Sequence, residues 1–206
     1  MSRLVNNLIR FGYLRSDLVI DAFWEIDRIE FIPESLSSEA NADVALPIGY
    51  GQTISQPRTV GFMFELLQPK RGQTILDIGS GSGWTSALLG YIVGDTGKVV
   101  SVEHIHELFA FGKENIEKFG YISKGVVECF EGDGYLGNDI YAPYDRILVS
   151  AAVDDIPEAL KRQLKIGGMM VIPVHNDIWF VEKRGEDDFY KEEFPGFSFV
   201  PLIQTA

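Results

Sequence analysis

Thr74-Ile-Leu-Asp-Ile-Gly-Ser-Gly-Ser-Gly-Trp-Thr-Ser-Ala-Leu-Leu89 decides how this chain is read. Thr74 to Ile78 is a short apolar run with β-branched residues, which predicts a buried strand. Gly79, Gly81 and Gly83 follow at a spacing of two, and the apolar run from Trp84 predicts a helix. A strand, a tight glycine turn and a helix start let a ligand approach bare backbone. The ligand class follows from two details. A dinucleotide fingerprint needs its third glycine one place later, where this chain has Trp84. Asp77, just before the glycines, would repel a pyrophosphate but suits a cationic group such as the amino group of S-adenosyl-L-methionine (SAM). The plain alternative is a glycine-rich turn that binds nothing.

Working outward, strand and helix patterns alternate. Strands are predicted at 98–103, 125–130, 144–150 and 169–174, with helices at 84–93, 105–119 and 156–164. An antiparallel pair, 178–183 with 197–202, is expected to close the sheet. Such alternation predicts an α/β fold with a mostly parallel sheet and helices on both faces. Ligands in such sheets lie beyond the carboxyl ends of the strands. Asp77, Glu103 and Asp133 fall there on consecutive strands. Glu103 lies 20 residues past Gly83, the usual distance for an acid that bonds ribose hydroxyls. Asp133, inside Gly132-Asp-Gly134, is placed to accept from an adenine amino group. Each acid alone also reads as a solvated loop residue or a cap; together they favour a bound nucleoside.

Upstream, residues 3–11 and 16–26 carry apolar residues at helical spacing, with Ser16 placed to cap the second helix. Arg28 closes that segment ahead of Pro33 and reads as a structural ion-pair residue, or as an organiser of an acceptor cleft. Residues 34–50 show no period and read as one long irregular loop. Gly51-Gln-Thr-Ile-Ser-Gln-Pro57 then leads into a helix predicted over 57–67, with Pro57 in its first turn. Ser55 there is either a carboxylate holder at a helix N-terminus or a plain cap. The expected organisation is an N-terminal helical element and loop, 1–50, on a domain spanning 51–206, as one compact unit.

Composition removes several function classes. A net charge of −12 argues against tracking nucleic-acid phosphates. No apolar run reaches the roughly 18 residues of a membrane span, and Met-Ser-Arg-Leu-Val-Asn-Asn7 is too polar for a signal-peptide core. A single cysteine, Cys129, forms no internal disulfide and fits a reducing cytoplasm. A monomer without a metal site is expected. The acidic run from Glu182 to Glu193 reads as a solvated hairpin turn.

These motifs resemble one family over nearly the whole chain, the protein-L-isoaspartate (D-aspartate) O-methyltransferases. The resemblance rests on Asp27-Arg-Ile-Glu-Phe-Ile-Pro33, Gly51-Gln-Thr-Ile-Ser-Gln-Pro57, Leu76-Asp-Ile-Gly-Ser-Gly-Ser-Gly83 and Ser101-Val-Glu-His-Ile-His-Glu-Leu108. It continues through Gly132-Asp-Gly134, Ala142-Pro-Tyr-Asp-Arg-Ile147, Gln163-Leu-Lys-Ile-Gly-Gly168, Val171-Ile-Pro-Val174 and Phe199-Val-Pro-Leu202. The glycine motif alone points only to SAM; the Ser55 segment with the Val-Pro-Leu ending is far more specific.

The resemblance implies a Rossmann-like class I SAM-dependent methyltransferase fold. It implies SAM as donor and isoaspartyl-containing proteins or peptides as acceptors, a repair activity. It also implies site residues: Thr53 and Ile54 between cofactor and acceptor, Ser55 as the active-site serine, and Gly79, Ser80, Gly81 and Gly83 in the cofactor turn. Glu103 and His104 fall at the ribose, and Gly132, Asp133 and Gly134 at the adenine. Two departures stand out. Arg58 and Val60 occupy positions where some members carry histidines, and no cofactor role carries over to Val60. The sequence runs four residues past Leu202, whereas some relatives extend further toward the site. Competing readings keep the chemistry with another carboxylate acceptor, or keep only SAM binding; an NAD-dependent oxidoreductase is disfavoured by Trp84 and Asp77.

Overall fold

The computed structural model describes residues 2–204. Two N-terminal helices, α1 (Ser2–Arg10) and α2 (Asp17–Glu25), precede two short 3₁₀ turns and a small hairpin of β1 (Leu46–Gly49) and β2 (Gln52–Ile54). The stretch expected to be one irregular loop is therefore partly ordered, with a 3₁₀ turn at Glu34–Glu39 and strand β1. Both are too short for a period to emerge. Helix α3 (Pro57–Leu67) follows, with Pro57 in its first turn.

The main body alternates β3 (Thr74–Ile78), α4 (Trp84–Val93), β4 (Lys98–Glu103), α5 (His106–Glu117), β5 (Val127–Glu131), β6 (Tyr144–Val149), α6 (Glu158–Gln163) and β7 (Leu164–Val174). Strands β8 (Asp177–Lys183) and β9 (Phe189–Pro195) complete a seven-stranded sheet in the order β5-β4-β3-β6-β7-β8-β9. The pairs from β5 to β7 are parallel and the last two antiparallel. The order reverses beside β3, between β4 and β6, which opens a crevice at their carboxyl ends.

Burial explains the elements that set this crevice. Ile75, Leu76, Asp77 and Ile78 are all buried, as expected of a central strand covered on both faces. In α4 every residue but Tyr91 is buried, because the helix lies between the sheet and α2. Phe23 of α2 meets Trp84 edge-on with ring centroids 5.5 Å apart. The boundary expected between residues 50 and 51 falls at the tip of the β1–β2 hairpin, and one core cluster joins Leu4, Val5 and Phe23 to Leu89 and Val99.

Two local expectations are corrected. The partner of β8 is Phe189–Pro195, inside the stretch expected to be a charged turn, and not residues 197–202. Lys191, Glu192 and Glu193 are exposed on this edge strand, so it shows no apolar alternation; backbone pairing holds it together with Phe194 edge-on to Phe62 and Tyr190 edge-on to Phe180. Residues 197–202 instead form a strap across the carboxyl end of β6, where Ala152 N donates to Val200 O at 2.8 Å and Leu202 N to Ala152 O at 2.8 Å. Ser16 does occupy the N-cap position of α2 but makes no cap bond. Its hydroxyl donates to Glu65 Oε2 at 2.7 Å, while Glu65 Oε1 accepts from Arg15 N and Ser16 N. A buried carboxylate of α3 thus satisfies the start of α2.

Candidate active site

The glycine turn is shaped by packing as much as by a ligand. Gly79, Gly81 and Gly83 all have positive φ, at 71°, 53° and 86°. A Cβ on Gly83 would sit 2.7 Å from Gly112 O, and one on Gly112 would sit 2.6 Å from Gly81 O. The third glycine is therefore required where α5 seats against the turn, a role separate from the cofactor contact implied for it. A Cβ on Gly79 would meet Ala151 Cβ at 3.7 Å and one on Gly81 would meet the tip of Ile48 at 3.2 Å, looser contacts than at Gly83, and both glycines border the crevice.

Asp77 lies beneath the turn with no exposed surface. Its Oδ2 accepts from Thr85 Oγ1 at 2.8 Å and Ser86 Oγ at 2.6 Å, which ties β3 to the first turn of α4. Oδ1 is buried without a partner. Burial pushes this carboxyl up to about 6, against the two hydroxyl bonds that favour its ionised form. A buried carboxylate oxygen left unpaired beside an open glycine turn fits a cationic ligand group above it.

Glu103 ends β4 nearly buried. Its Oε2 accepts from Gly81 N at 2.8 Å, and its Oε1 from His104 N at 2.8 Å and Ile105 N at 2.9 Å. A carboxylate has about four acceptor positions, so Glu103 orders the glycine turn while keeping an acceptor position for a hydroxyl. Asp133 caps a 3₁₀ turn, its Oδ1 accepting from Tyr135 N at 2.8 Å. Gly134 borders the crevice, and a Cβ there would meet Ile78 Cγ2 at 2.6 Å. Gly132 and Asp133 stand to one side, and Gly132 has open space where a Cβ would project.

Three adjoining spaces make up the site. Two narrow clefts run along the glycine turn, bordered by Ile54, Ser80, Glu103 and His104, and roofed by the β1–β2 hairpin and the strap. Beyond them lies a cavity of about 480 Å³ between the N-terminus of α3 and residues 196–200, within the usual range for ligand sites. Thr53 and Ser150 border all three spaces, and Ser55 borders the large cavity and one cleft. Buried Val60 lines that same cleft.

Ser55 caps nothing. The N-cap of α3 is Gln56, and the first-turn N–H of Arg58 is satisfied by Asp43 Oδ1 at 2.9 Å. The Ser55 hydroxyl has no hydrogen-bond partner among the described residues and sits half-buried on the wall between cleft and cavity. Arg28 fixes the backbone there: its Nη2 donates to Ser55 O at 3.2 Å and Val44 O at 2.8 Å, and its Nη1 to Ala40 O and Ala42 O at 3.2 Å each. It is fully buried over Trp84, and burial pushes its pKa down to about 10. Carbonyls, not an ion pair, hold it.

Ser150 escaped the sequence reading. It directly follows β6, the strand beside β3, and its N–H donates to Ile78 O at 2.9 Å. Its signal in the sequence is its position at a strand end, the same signal that marks Asp77 and Glu103.

A parallel sheet with a glycine turn at its switch point, and acids at the ends of β3 and β4, defines a Rossmann-like SAM-dependent methyltransferase. The fold recurs in a Plasmodium falciparum protein solved in complex with S-adenosyl-L-homocysteine, with a TM-score of 0.88 at 24% identity, covering 98% of each chain. The chain belongs to the protein-L-isoaspartate(D-aspartate) O-methyltransferase family, whose model matches residues 1–206. It is 45% identical over 205 residues to a protein-L-isoaspartate O-methyltransferase of Methanopyrus kandleri, covering 98% of this chain and 90% of that one. A Methanococcus vannielii protein of the same name is 41% identical, with 99% and 97% covered. A solved protein-L-isoaspartate O-methyltransferase matches at 31% identity and a TM-score of 0.88, over 97% of this chain and 65% of that longer one. Among the described residues no helix is long and apolar enough to cross a membrane, and no cluster of His, Cys, Asp and Glu has the makings of a metal site.

Proposed function

We propose that this enzyme methylates the free carboxylate of L-isoaspartyl and D-aspartyl residues in damaged proteins and peptides, with Ser55 as the residue that orients the acceptor. The observation that carries this reading is the unpartnered Ser55 hydroxyl on the wall between the glycine-turn cleft and the large cavity. When bound, SAM would supply a methyl group on a sulfonium, whose sulfur leaves with the bonding pair as a neutral thioether when the carboxylate oxygen takes the methyl. Glu103, His104 and the backbone of Gly79 to Gly81 would hold it in the clefts, Asp77 would act on it through its charge from beneath the turn, and Thr53, Ile54, Gly83 and Gly132 to Gly134 would complete the surroundings.

The acceptor needs no general base. A carboxyl group has a pKa near 4 and is ionised at neutral pH, so the residues have to align it and keep water away. The Ser55 hydroxyl donates to one carboxylate oxygen and fixes the direction of the other. The strap and the β1–β2 hairpin cover the clefts, which strips water from the nucleophile. Ser150 and Thr53, bordering all three spaces, complete the polar wall.

The test uses labelled SAM with matched peptides carrying L-isoaspartate or normal L-aspartate. Base-labile methyl ester on the isoaspartyl peptide alone supports the repair reading; label on neither peptide rejects it. We further place the enzyme in the cytoplasm as a monomer that acts on proteins and not on nucleic acids. The net charge of −12 supports the last point, and sedimentation at micromolar concentration tests the monomer.

A further inference from the structure

We infer that Arg58 makes this enzyme prefer isoaspartyl sites that have an acidic residue within about three positions. The inference rests on the function proposed above. Among the described residues that bound the large cavity, Arg58 alone carries a charge, and it is a cation on a chain of net charge −12. The overall field of the protein repels an acidic peptide, so one local cation decides which flanking charges are tolerated at the cavity.

The Arg58 guanidinium is available for this. Its side chain is 50% exposed. Asp43 Oδ2 lies 3.8 Å from Nε, a loose approach, while its Oδ1 accepts from the backbone N–H of Arg58 itself. Neither Nη group has a hydrogen-bond partner among the described residues, and the fork they form matches a carboxylate. Helix α3 holds the residue in register, since Pro57 begins the helix immediately after the Ser55–Gln56 turn. Three residues of chain reach at most about 11 Å, so the backbones of Ser55 and Arg58 are no further apart than that. A carboxylate seated at Ser55 therefore brings its near neighbours in the peptide, but not distant ones, within reach of Arg58.

The test uses three isoaspartyl peptides that differ only in one residue two positions from the modified site: Asp, Gln or Lys. For the wild-type enzyme kcat/KM should fall in the order Asp, Gln, Lys, by roughly two- to fivefold per step, the span expected of one exposed ion pair. The difference should sit mainly in KM and shrink in high salt. Arg58→Glu should reverse the order. Asp43→Asn, which removes the one competing carboxylate, should widen the Asp-over-Lys ratio. Equal rates on all three peptides with the wild-type enzyme, or an unchanged order in Arg58→Glu, would overturn this inference alone. Absence of methyl transfer to every peptide overturns the proposed function and this inference with it.

Discussion

Arg28 Nη2 lies 3.2 Å from the carbonyl oxygen of Ser55, so a buried guanidinium 27 residues upstream holds the backbone of the proposed catalytic serine. The same group bonds Ala40, Ala42 and Val44, which makes one side chain the anchor of the loop and of the serine together. Arg28→Ala would leave four carbonyls short of a donor. We expect a loss of about 3 kcal/mol in urea unfolding, reduced below the sum of the bonds by local hydration, and a fall in kcat. Arg28→Lys keeps the charge but not the fork. It should recover part of the stability and little of the turnover, because one ammonium cannot span carbonyls on both sides of the loop.

Ser55→Ala separates chemistry from folding. The hydroxyl bonds nothing in the protein, so the melting temperature should stay within a degree or so. Loss of one hydrogen bond to a charged acceptor, worth about 1.5–3 kcal/mol, should lower kcat by roughly ten- to a hundredfold. SAM affinity by isothermal titration should barely move. Loss of SAM binding equal to the loss of kcat would assign Ser55 to the cofactor.

Asp77→Asn should trade stability against cofactor affinity. The folded-state pKa of Asp77 is raised from 3.8 to about 6, so between these values the native state holds more protons than the unfolded chain. The group's contribution to stability therefore falls as pH rises from about 4 to about 6 and stays low above that. At pH 7 the ionised, buried carboxylate costs on the order of a few kcal/mol, because a tenfold change in proton affinity is worth about 1.4 kcal/mol. Denaturant midpoints at pH 5 and pH 7 should show Asp77→Asn gaining on the wild type as pH rises, while its affinity for SAM drops. A variant with unchanged affinity would remove Asp77 from the cofactor's surroundings.

Two glycines give opposite expectations. In Gly83→Ala the new Cβ meets Gly112 O at 2.7 Å at a φ of 86°, so α5 must shift and stability should fall by about 1–3 kcal/mol. In Gly132→Ala the Cβ meets nothing within 4 Å, so thermal unfolding without ligand should be close to wild type. If the cofactor passes close to Gly132, SAM affinity drops in Gly132→Ala without a loss of stability. Paired melting and titration experiments distinguish a glycine required by packing from one required by the proposed cofactor contact.

Most of the architecture was legible in the residues. The α/β alternation and the bounds of β3, α4 and α3 needed only apolar run length, glycine and proline, because those segments are buried against the sheet or core and their period is set locally. Family membership was equally legible, since motifs from Asp27 to Leu202 carry the resemblance. The SAM reading rested on where Asp77 and Glu103 fall along the chain, which sequence spacing supplies directly.

Tertiary structure decided what each of those residues touches. Only the fold shows that Asp77 is sealed under the turn with one oxygen unpaired, that Gly83 answers to Gly112, and that Glu103 already holds three backbone N–H groups. It replaced the expected ion pair of Arg28 with four carbonyls, and the expected strand at 197–202 with a strap. It also added Ser150 to the wall of the site. Local sequence encodes period, turn chemistry and strand ends, because these depend on neighbours a few residues apart. Hydrogen-bond partners, close backbone approaches and cavity walls join residues tens of positions apart, and packing alone brings Arg28 to Ser55.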